Sequence, residues 1–229
     1  VPKLKMIKAF IVFVCAIALV SGGKPVKTTA APTTAAPTTA APSGGDGLTQ
    51  AQIDEILNAH NNFRQTVATG QQTDVNGDVQ PTAANMRKFV WDDAIAAGSQ
   101  AWSDACNFAH SSSTERPNQG ENLACSTGSS ISALANLWFK EITEMPVSSY
   151  DAYVFESGVG HYTQAVWGST YKLGCGMTFC PGLMSGWDMY YLVCRYSPPG
   201  NYIGQQIYQQ GSPQSACANG ASDMSGLCN

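Results

Sequence analysis

Two short stretches dense in aromatic and polar residues constrain this chain more than any other feature. The first, residues 160–167, reads Gly-His-Tyr-Thr-Gln-Ala-Val-Trp. The second, residues 191–202, reads Tyr-Leu-Val-Cys-Arg-Tyr-Ser-Pro-Pro-Gly-Asn-Tyr. A strand pattern from about Met189 ends at the two prolines, because proline cannot donate a ladder hydrogen bond. The stretches therefore predict sheet structure near the end of a folded domain.

The pattern upstream of these stretches is helical. Thr49 is a suitable N-cap, and Gln52 three residues later completes a capping box before apolar residues at helical spacing. Further helices are predicted over about residues 92–108 and 131–142, and strands over about 161–167, 173–179 and 189–196. Helices combined with a few antiparallel strands predict an α+β fold.

Residues 1–46 have the composition of targeting and linker segments. Lysines at positions 3, 5 and 8 precede an apolar run from Ala9 to Val20, which is too short for a membrane span and predicts a signal peptide over 1–22. Residues 23–46 contain three tandem Thr-Thr-Ala-Ala-Pro repeats and predict a disordered linker, which is either O-glycosylated or a bare spacer. The main domain is predicted over 47–202, followed by a Cys-containing tail over 203–229. We expect a secreted, extracellular protein.

Charge and cysteine content narrow the classes of partner. The formal net charge is −4, and no run of basic residues is present, which argues against nucleic acid or anionic lipid as a partner. The chain has eight cysteines and no CxxC pair, so disulfides are favoured over a zinc–cysteine site in an oxidising compartment. Cys15 lies in the predicted signal peptide. The odd number that remains predicts one free or intermolecular thiol.

Residues 160–167 and 191–202 together resemble the two signature motifs of the CAP superfamily of cysteine-rich secretory proteins, antigen 5 and pathogenesis-related 1 proteins. The resemblance covers roughly residues 48–204. The tail resembles the hinge of nematode activation-associated secreted proteins, also called venom allergen-like proteins. The resemblance implies a three-layer α/β/α sandwich with a small antiparallel sheet, stapled by disulfides.

The resemblance also implies a disulfide pattern. Cys106 is expected to pair with Cys180, and Cys175 with Cys194, while Cys217 and Cys228 close the tail. Cys125 then has no partner. It is a candidate for an intermolecular bridge in a disulfide-linked homodimer; the alternatives are a buried inert thiol or a different pairing.

Four residues far apart in the sequence are candidates for a functional site. Their spacing in the sequence does not by itself indicate that they lie close together. Each nevertheless matches a position of the cavity tetrad that the resemblance implies: His110, Glu121, Glu141 and His161. Two neutral imidazoles suit Zn²⁺, and a carboxylate beside each ring would fix its tautomer. We therefore expect His110 and His161 as ligands of a divalent cation, zinc being the candidate cofactor. The alternative is a hydrogen-bonded polar cluster.

Five other polar residues are interpreted as structural. His60, Asn61 and Arg64 resemble the family's first-helix motif, in which these side chains connect the helix to the rest of the domain. Asn122 and Gln164 are expected to satisfy buried backbone groups.

The expected function is extracellular interaction with a protein or lipid partner, such as modulation of a host or tissue, without a membrane span. One alternative is sterol or fatty-acid binding, in which Met145, Tyr150, Tyr153 and Phe155 of an aromatic loop would contact the lipid. The other is a metal-dependent hydrolase at the tetrad. Neither Ser111 nor Ser169 lies in a Gly-X-Ser-X-Gly elbow, so the sequence does not predict an enzyme.

Overall fold

The computed structural model describes residues 14–16, 47–74, 76–146 and 150–229. The predicted signal peptide and linker lie outside these residues, apart from the backbone of a short strand at 14–16. The helices are α1 (Gln50–Ala68), α2 (Asp93–Asp104), α3 (Ile131–Phe139) with a 3₁₀ turn at Lys140–Glu144, and α4 (Gly160–Ala165). The strands are β1 (Val14–Ala16), β2 (Val90–Trp91), β3 (Gly120–Ser126), β4 (Lys172–Met184) and β5 (Trp187–Ser197).

The strands form one sheet in the order β1-β3-β5-β4-β2. Strands β3, β5 and β4 pair antiparallel, with Glu121 opposite Arg195 and Cys175 opposite Cys194. The edge strands β1 and β2 pair parallel to β3 and β4. The antiparallel centre of the sheet positions the side chains of the candidate site.

Helices cover both faces of this sheet. Alternate residues of β5, Leu192 and Cys194, join a core cluster with Ile56 of α1 and Trp138 of α3. The residues between them, Tyr191 and Val193, pack on the other face against Trp102 of α2. This alternation is the period of a strand buried on both sides. The predicted α+β class and three-layer arrangement are confirmed.

Local sequence explains where the three long helices begin. Thr49 and Gln52 form the capping box at the start of α1, with reciprocal side-chain bonds. Asp92 caps α2 by accepting from the N–H of Ile95, and Ser130 caps α3 by accepting from that of Ala133.

Two glycines let α2 approach the sheet closely. A Cβ at Gly174 would lie 2.3 Å from the backbone nitrogen of Ala96, and one at Gly176 would lie 2.3 Å from the Cα of Gln100. No larger residue fits at either position without displacing the helix.

One predicted strand is a helix. Residues 160–165 form α4, with the carboxylate of Glu141 accepting hydrogen bonds from the N–H groups of His161 and Tyr162 at 3.0 Å each. This caps the first turn from outside the segment, where N–H groups have no partner within the helix. The alternation of residue types in 160–167 gave no sign of this contact. Strand β3 was also missed.

The structure contains the disulfides Cys106–Cys180, Cys175–Cys194 and Cys217–Cys228. The expectation of an unpaired Cys125 was wrong. Cys125 lies fully buried on β3 and is itself disulfide-bonded, so its sulfur is not a surface thiol able to form an intermolecular bridge.

Most of the aromatic loop proposed for lipid contact belongs to the core. Met145, Tyr150 and Tyr153 are buried in a second cluster with Tyr162 and Trp167, and of the four proposed contact residues only Phe155 is exposed. The tail packs into the same cluster through Ile207, Tyr208 and Leu227. Within the described residues, none of the helices combines the length and apolar character needed to cross a bilayer.

Candidate functional site

Glu121 and His110 form one half of the candidate site. Glu121 is the second residue of β3, and its carboxylate accepts a hydrogen bond from Nδ1 of His110 at 2.9 Å. The same carboxylate accepts from the N–H of Ser111 at 2.9 Å and from its hydroxyl at 2.6 Å. Burial acts to raise the pKa of Glu121, but the hydrogen bonds from His110 and Ser111 outweigh it and lower the pKa to about 2.

A buried arginine completes the surroundings of Glu121. Nε of Arg195 lies 3.0 Å from Oε2 of Glu121, and Nη2 donates to the Ser111 hydroxyl at 3.1 Å. The two charged residues are opposite each other in the β3–β5 register. Arg195 was not among the site residues expected from the sequence. Its signal was a charged residue within the largely apolar run of residues 189–196, since arginine is almost never fully buried without a partner.

His161 and Glu141 form the other half. His161 lies in α4, and its Nδ1 donates to Oε1 of Glu141 at 2.6 Å. Oε2 of Glu141 accepts the two α4 N–H groups described above. One carboxylate therefore orients the imidazole and also caps the helix that carries it. In a neutral ring that donates through Nδ1, the lone pair lies on Nε2.

The two halves meet at one cleft of about 290 Å³. His110, Glu121 and His161 all line it, whereas Glu141 lies behind His161 and is not among the lining residues. The remaining lining residues are Arg116, Gln119, Gly120, Asn122, Phe155, Glu156, Gly158, Gly160, Gln164, Pro199, Gly200 and Asn201.

The donor set limits what the cleft can hold. Within the described ranges, no group of three or more His, Cys, Asp and Glu side chains is arranged to hold a metal ion. Each carboxylate is hydrogen-bonded to an imidazole, so the carboxylates would lie outside the first coordination shell of a metal ion bound by the imidazoles. The chain therefore offers a cation two imidazoles, fewer than the three protein ligands typical of catalytic zinc.

A chain of buried hydrogen bonds connects the cleft to α1. Nδ1 of His60 is 2.8 Å from the carbonyl oxygen of Ile56, which can only accept, so this nitrogen carries the proton. Nε2 then accepts from the hydroxyl of Tyr196 at 2.9 Å. Asn122 donates through Nδ2 both to that hydroxyl and to the carbonyl of His161. Burial lowers the pKa of His60 to about 4, against the opposing effect of the Ile56 carbonyl.

Arg64 and Asn61 connect α1 to the segments around the cleft. Arg64 is fully buried and donates to the carbonyls of Ala165, Arg87, Thr170 and Trp167, at 2.5 to 2.8 Å. Its guanidinium also lies 3.6 Å from the centre of the Phe89 ring. Asn61 exchanges two hydrogen bonds with the backbone of Phe89. These contacts hold the segment that follows α4 against α1.

Gln164 fixes the wall of the cleft between α4 and the second signature stretch. Its Oε1 accepts from the N–H of Gly200 at 2.9 Å. The amide lies directly over Gly120, so a side chain at that position would displace the Gln164 amide from its bond with Gly200. Within the part of the chain that the structure describes, Nε2 of Gln164 is buried and has no hydrogen-bond partner.

Comparison with known proteins gives a consistent result. The family model described as "Cysteine-rich secretory protein family" (CAP) matches residues 57–196. Venom allergen 5.02 of Dolichovespula maculata is 40% identical over 172 residues, covering 72% of this chain and 79% of the relative. Ancylostoma secreted protein of Ancylostoma caninum is 36% identical over 196 residues, covering 80% of this chain and 45% of the relative. The crystal structure of NaASP2 with Zn²⁺ has a TM-score of 0.68 at 32% identity, covering 83% of this chain and all of that one.

Proposed function

Because the chain belongs to the CAP family of cysteine-rich secretory proteins, we propose that it acts outside the cell as a binding module whose His/Glu cleft takes up a divalent cation. The observation that carries the proposal is that His110 and His161 line one cleft, each with Nδ1 engaged by its own carboxylate. Secretion is supported by the signal-peptide pattern of residues 1–22 and by a relative named as a secreted protein.

Zinc is the cation that the donors fit best among common divalent ions. Imidazole nitrogen suits zinc, whereas calcium and magnesium prefer oxygen ligands. Two protein ligands leave the remaining coordination positions to water or to an atom of a bound partner. NaASP2, a structure at 32% identity to this chain, was solved with Zn²⁺. A zinc ion here would supply a point of attachment for an electron-pair donor on a partner molecule.

The contacts of Ser111 argue against a hydrolase. A serine nucleophile needs a base within hydrogen-bond reach that accepts its proton. The Ser111 hydroxyl donates to Glu121, whose pKa of about 2 makes it a weak base, and accepts from Arg195. These contacts hold the hydroxyl within a buried ion-pair network.

Zinc titration tests the proposal. Isothermal titration calorimetry at neutral pH is expected to give saturable zinc binding by the wild-type protein, weakening at least tenfold in His110→Ala and in His161→Ala. Binding should be lost in the double variant, because no other described histidine lines the cleft. Glu144→Gln, an exposed change outside the cleft, is the matched control and should bind as the wild type does.

Two outcomes would contradict the proposal. One is unchanged zinc affinity in the double variant, which would place any metal elsewhere. The other is zinc-stimulated ester or peptide hydrolysis that the double variant loses, which would favour the hydrolase alternative.

A further inference from the structure

The tip of the β4–β5 hairpin extends beyond the rest of the sheet. Strand β3 pairs with β5 only as far as Tyr190, whereas β4 and β5 continue to the pair Met184–Trp187. The connecting residues Ser185 and Gly186 have φ values of 49° and 86°, as expected for a two-residue hairpin turn of type I′. The disulfide Cys106–Cys180 anchors the base of this extension to the segment after α2.

The hairpin tip, residues 179–187, is apolar and uncharged. No charged residue occurs between Lys172 and Asp188. The side chains of Phe179 and Trp187 are 40% and 53% exposed, so two large aromatic rings of one hairpin face solvent. Leu183 and Met184 are half-buried, and Leu183 packs against the core cluster that contains Cys180 and Tyr191. The carboxylate of Asp188, the residue after Trp187, accepts from the N–H of Gly182 at 2.9 Å within the hairpin.

The exposed rings lie on opposite faces of the hairpin. Phe179 is paired with Tyr190, their ring centres 5.2 Å apart. Trp187 precedes Tyr190 by three residues on a continuous strand, so its side chain points to the other face. A flat protein surface would cover one face of such a hairpin and leave the ring on the other face in water. An environment that surrounds the tip would cover both.

We propose that this tip inserts into the interfacial layer of membranes made of neutral, zwitterionic phospholipid. Tryptophan and other aromatic rings favour the headgroup region of a bilayer, where one edge is apolar and the other is wet. The turn has two residues, and in the irregular stretch of β4 between Cys180 and Met184, Pro181 has no N–H and the N–H of Gly182 is bonded to Asp188. The tip therefore has few N–H groups without a partner when it enters that layer. The net charge of −4 and the absence of a basic run give no attraction to anionic lipid. The chain would then be held at a lipid surface with the cleft free to bind, a property separate from cation binding.

Vesicle flotation tests this inference. Wild-type protein is expected to float with phosphatidylcholine vesicles, and replacing part of that lipid with phosphatidylserine should not increase the bound fraction. Trp187→Ala and Phe179→Ala should each reduce the partition coefficient between vesicles and water roughly tenfold, because each removes a large apolar side chain that would be buried in the lipid. Ile203→Ala and Tyr202→Ala are the controls, since these residues are 77% and 47% exposed on a different loop.

A spectroscopic experiment identifies the inserted residue. Brominated phosphatidylcholine should quench part of the tryptophan fluorescence of the wild type, and Trp187→Phe should abolish that quenching while retaining most of the binding. Failure of the wild type to float, equal flotation of Trp187→Ala, or binding only to phosphatidylserine vesicles would overturn the proposal. So would concentration-dependent dimerisation abolished by Trp187→Ala, because the tip would then be an interface between two copies.

Discussion

At the scale of single residues, buried charges in this protein are satisfied in two different ways. Arg195 is neutralised by the carboxylate of Glu121, to which His110 and Ser111 also donate. Arg64 instead donates to four backbone carbonyls, without an ion pair among the described residues. The first arrangement belongs to the cleft and depends on ionisation, because a protonated Glu121 would leave Arg195 buried without a negative partner. The second connects backbone segments and does not involve an acid.

Replacing Glu121 with glutamine is expected to change how stability depends on pH. The pKa of Glu121 is about 2 in the folded protein against an ordinary value of 4.5, so its contribution is fully present above pH 4.5 and is lost as pH falls towards 2. A pKa shift of this size corresponds to a contribution of about 3 kcal/mol to the free energy of unfolding. Urea unfolding of Glu121→Gln should therefore show a loss of about 3 kcal/mol at pH 7 that shrinks below pH 4.5.

Glu144→Gln provides the control for this prediction, because Glu144 is exposed and lies outside the ion-pair network. A constant stability difference between the wild type and Glu121→Gln from pH 7 to pH 2 would contradict the assigned pKa.

A second acid-sensitive group, His60, affects stability over a different pH range. Its folded pKa of about 4 lies below the ordinary 6.5, so its contribution is complete above pH 6.5 and is lost as pH falls towards 4.

At the scale of elements, a short helix depends on a residue from another part of the chain. Helix α4 has only six residues and no capping side chain of its own. Isolated helices of this length are unstable in water. Glu141, from the 3₁₀ turn after α3, supplies the acceptor for the first N–H groups and holds the ring of His161 at the same time. Folding of α4 and orientation of the cleft histidine are therefore coupled.

Amide hydrogen exchange followed by NMR tests this coupling. In Glu141→Gln one acceptor oxygen is replaced by an NH₂ group, which cannot accept from an N–H. The amides of His161 and Tyr162 are expected to exchange at least tenfold faster, and the free energy of unfolding to fall by about 1 to 3 kcal/mol. Amides of α2, on the opposite face of the sheet, serve as the internal reference. Unchanged protection at His161 and Tyr162 would show that α4 does not need the carboxylate.

At the scale of the whole molecule, the C-terminal tail packs against the residues that precede it. Ile207, Tyr208 and Leu227 are buried in the same cluster as Tyr150 and Trp167. Backbone bridges join Ala83 to Gln210 and Arg87 to Cys228. The Cys217–Cys228 disulfide closes the last loop of this segment. The tail thus adds buried apolar area to the cluster that contains Tyr162 of α4.

Removing the tail disulfide should destabilise the domain as a whole. The double variant Cys217→Ser/Cys228→Ser loses the cross-link that closes a short loop. Because the unfolded chain then gains conformational entropy, the free energy of unfolding should fall by about 2 to 3 kcal/mol. We expect one cooperative thermal transition at a lower midpoint, measured by circular dichroism under non-reducing conditions. Two separate transitions, or an unchanged midpoint, would show that the tail is independent of the domain core.

The sequence alone determined the features that depend on neighbours along the chain. The capping box at Thr49, the starts of α2 and α3, and the apolar strands β4 and β5 follow from local chemistry and periodicity, and family motifs supplied the three-layer fold. Tertiary structure decided the rest. Residues 160–165 are helical because Glu141, about twenty residues earlier, caps them. Arg195 enters the cleft network because β3 and β5 pair in one register, and Tyr150 and Tyr153 are buried because the tail covers them. Such contacts join residues that are distant in the sequence, so they form, and stabilise the protein, only once the chain has folded.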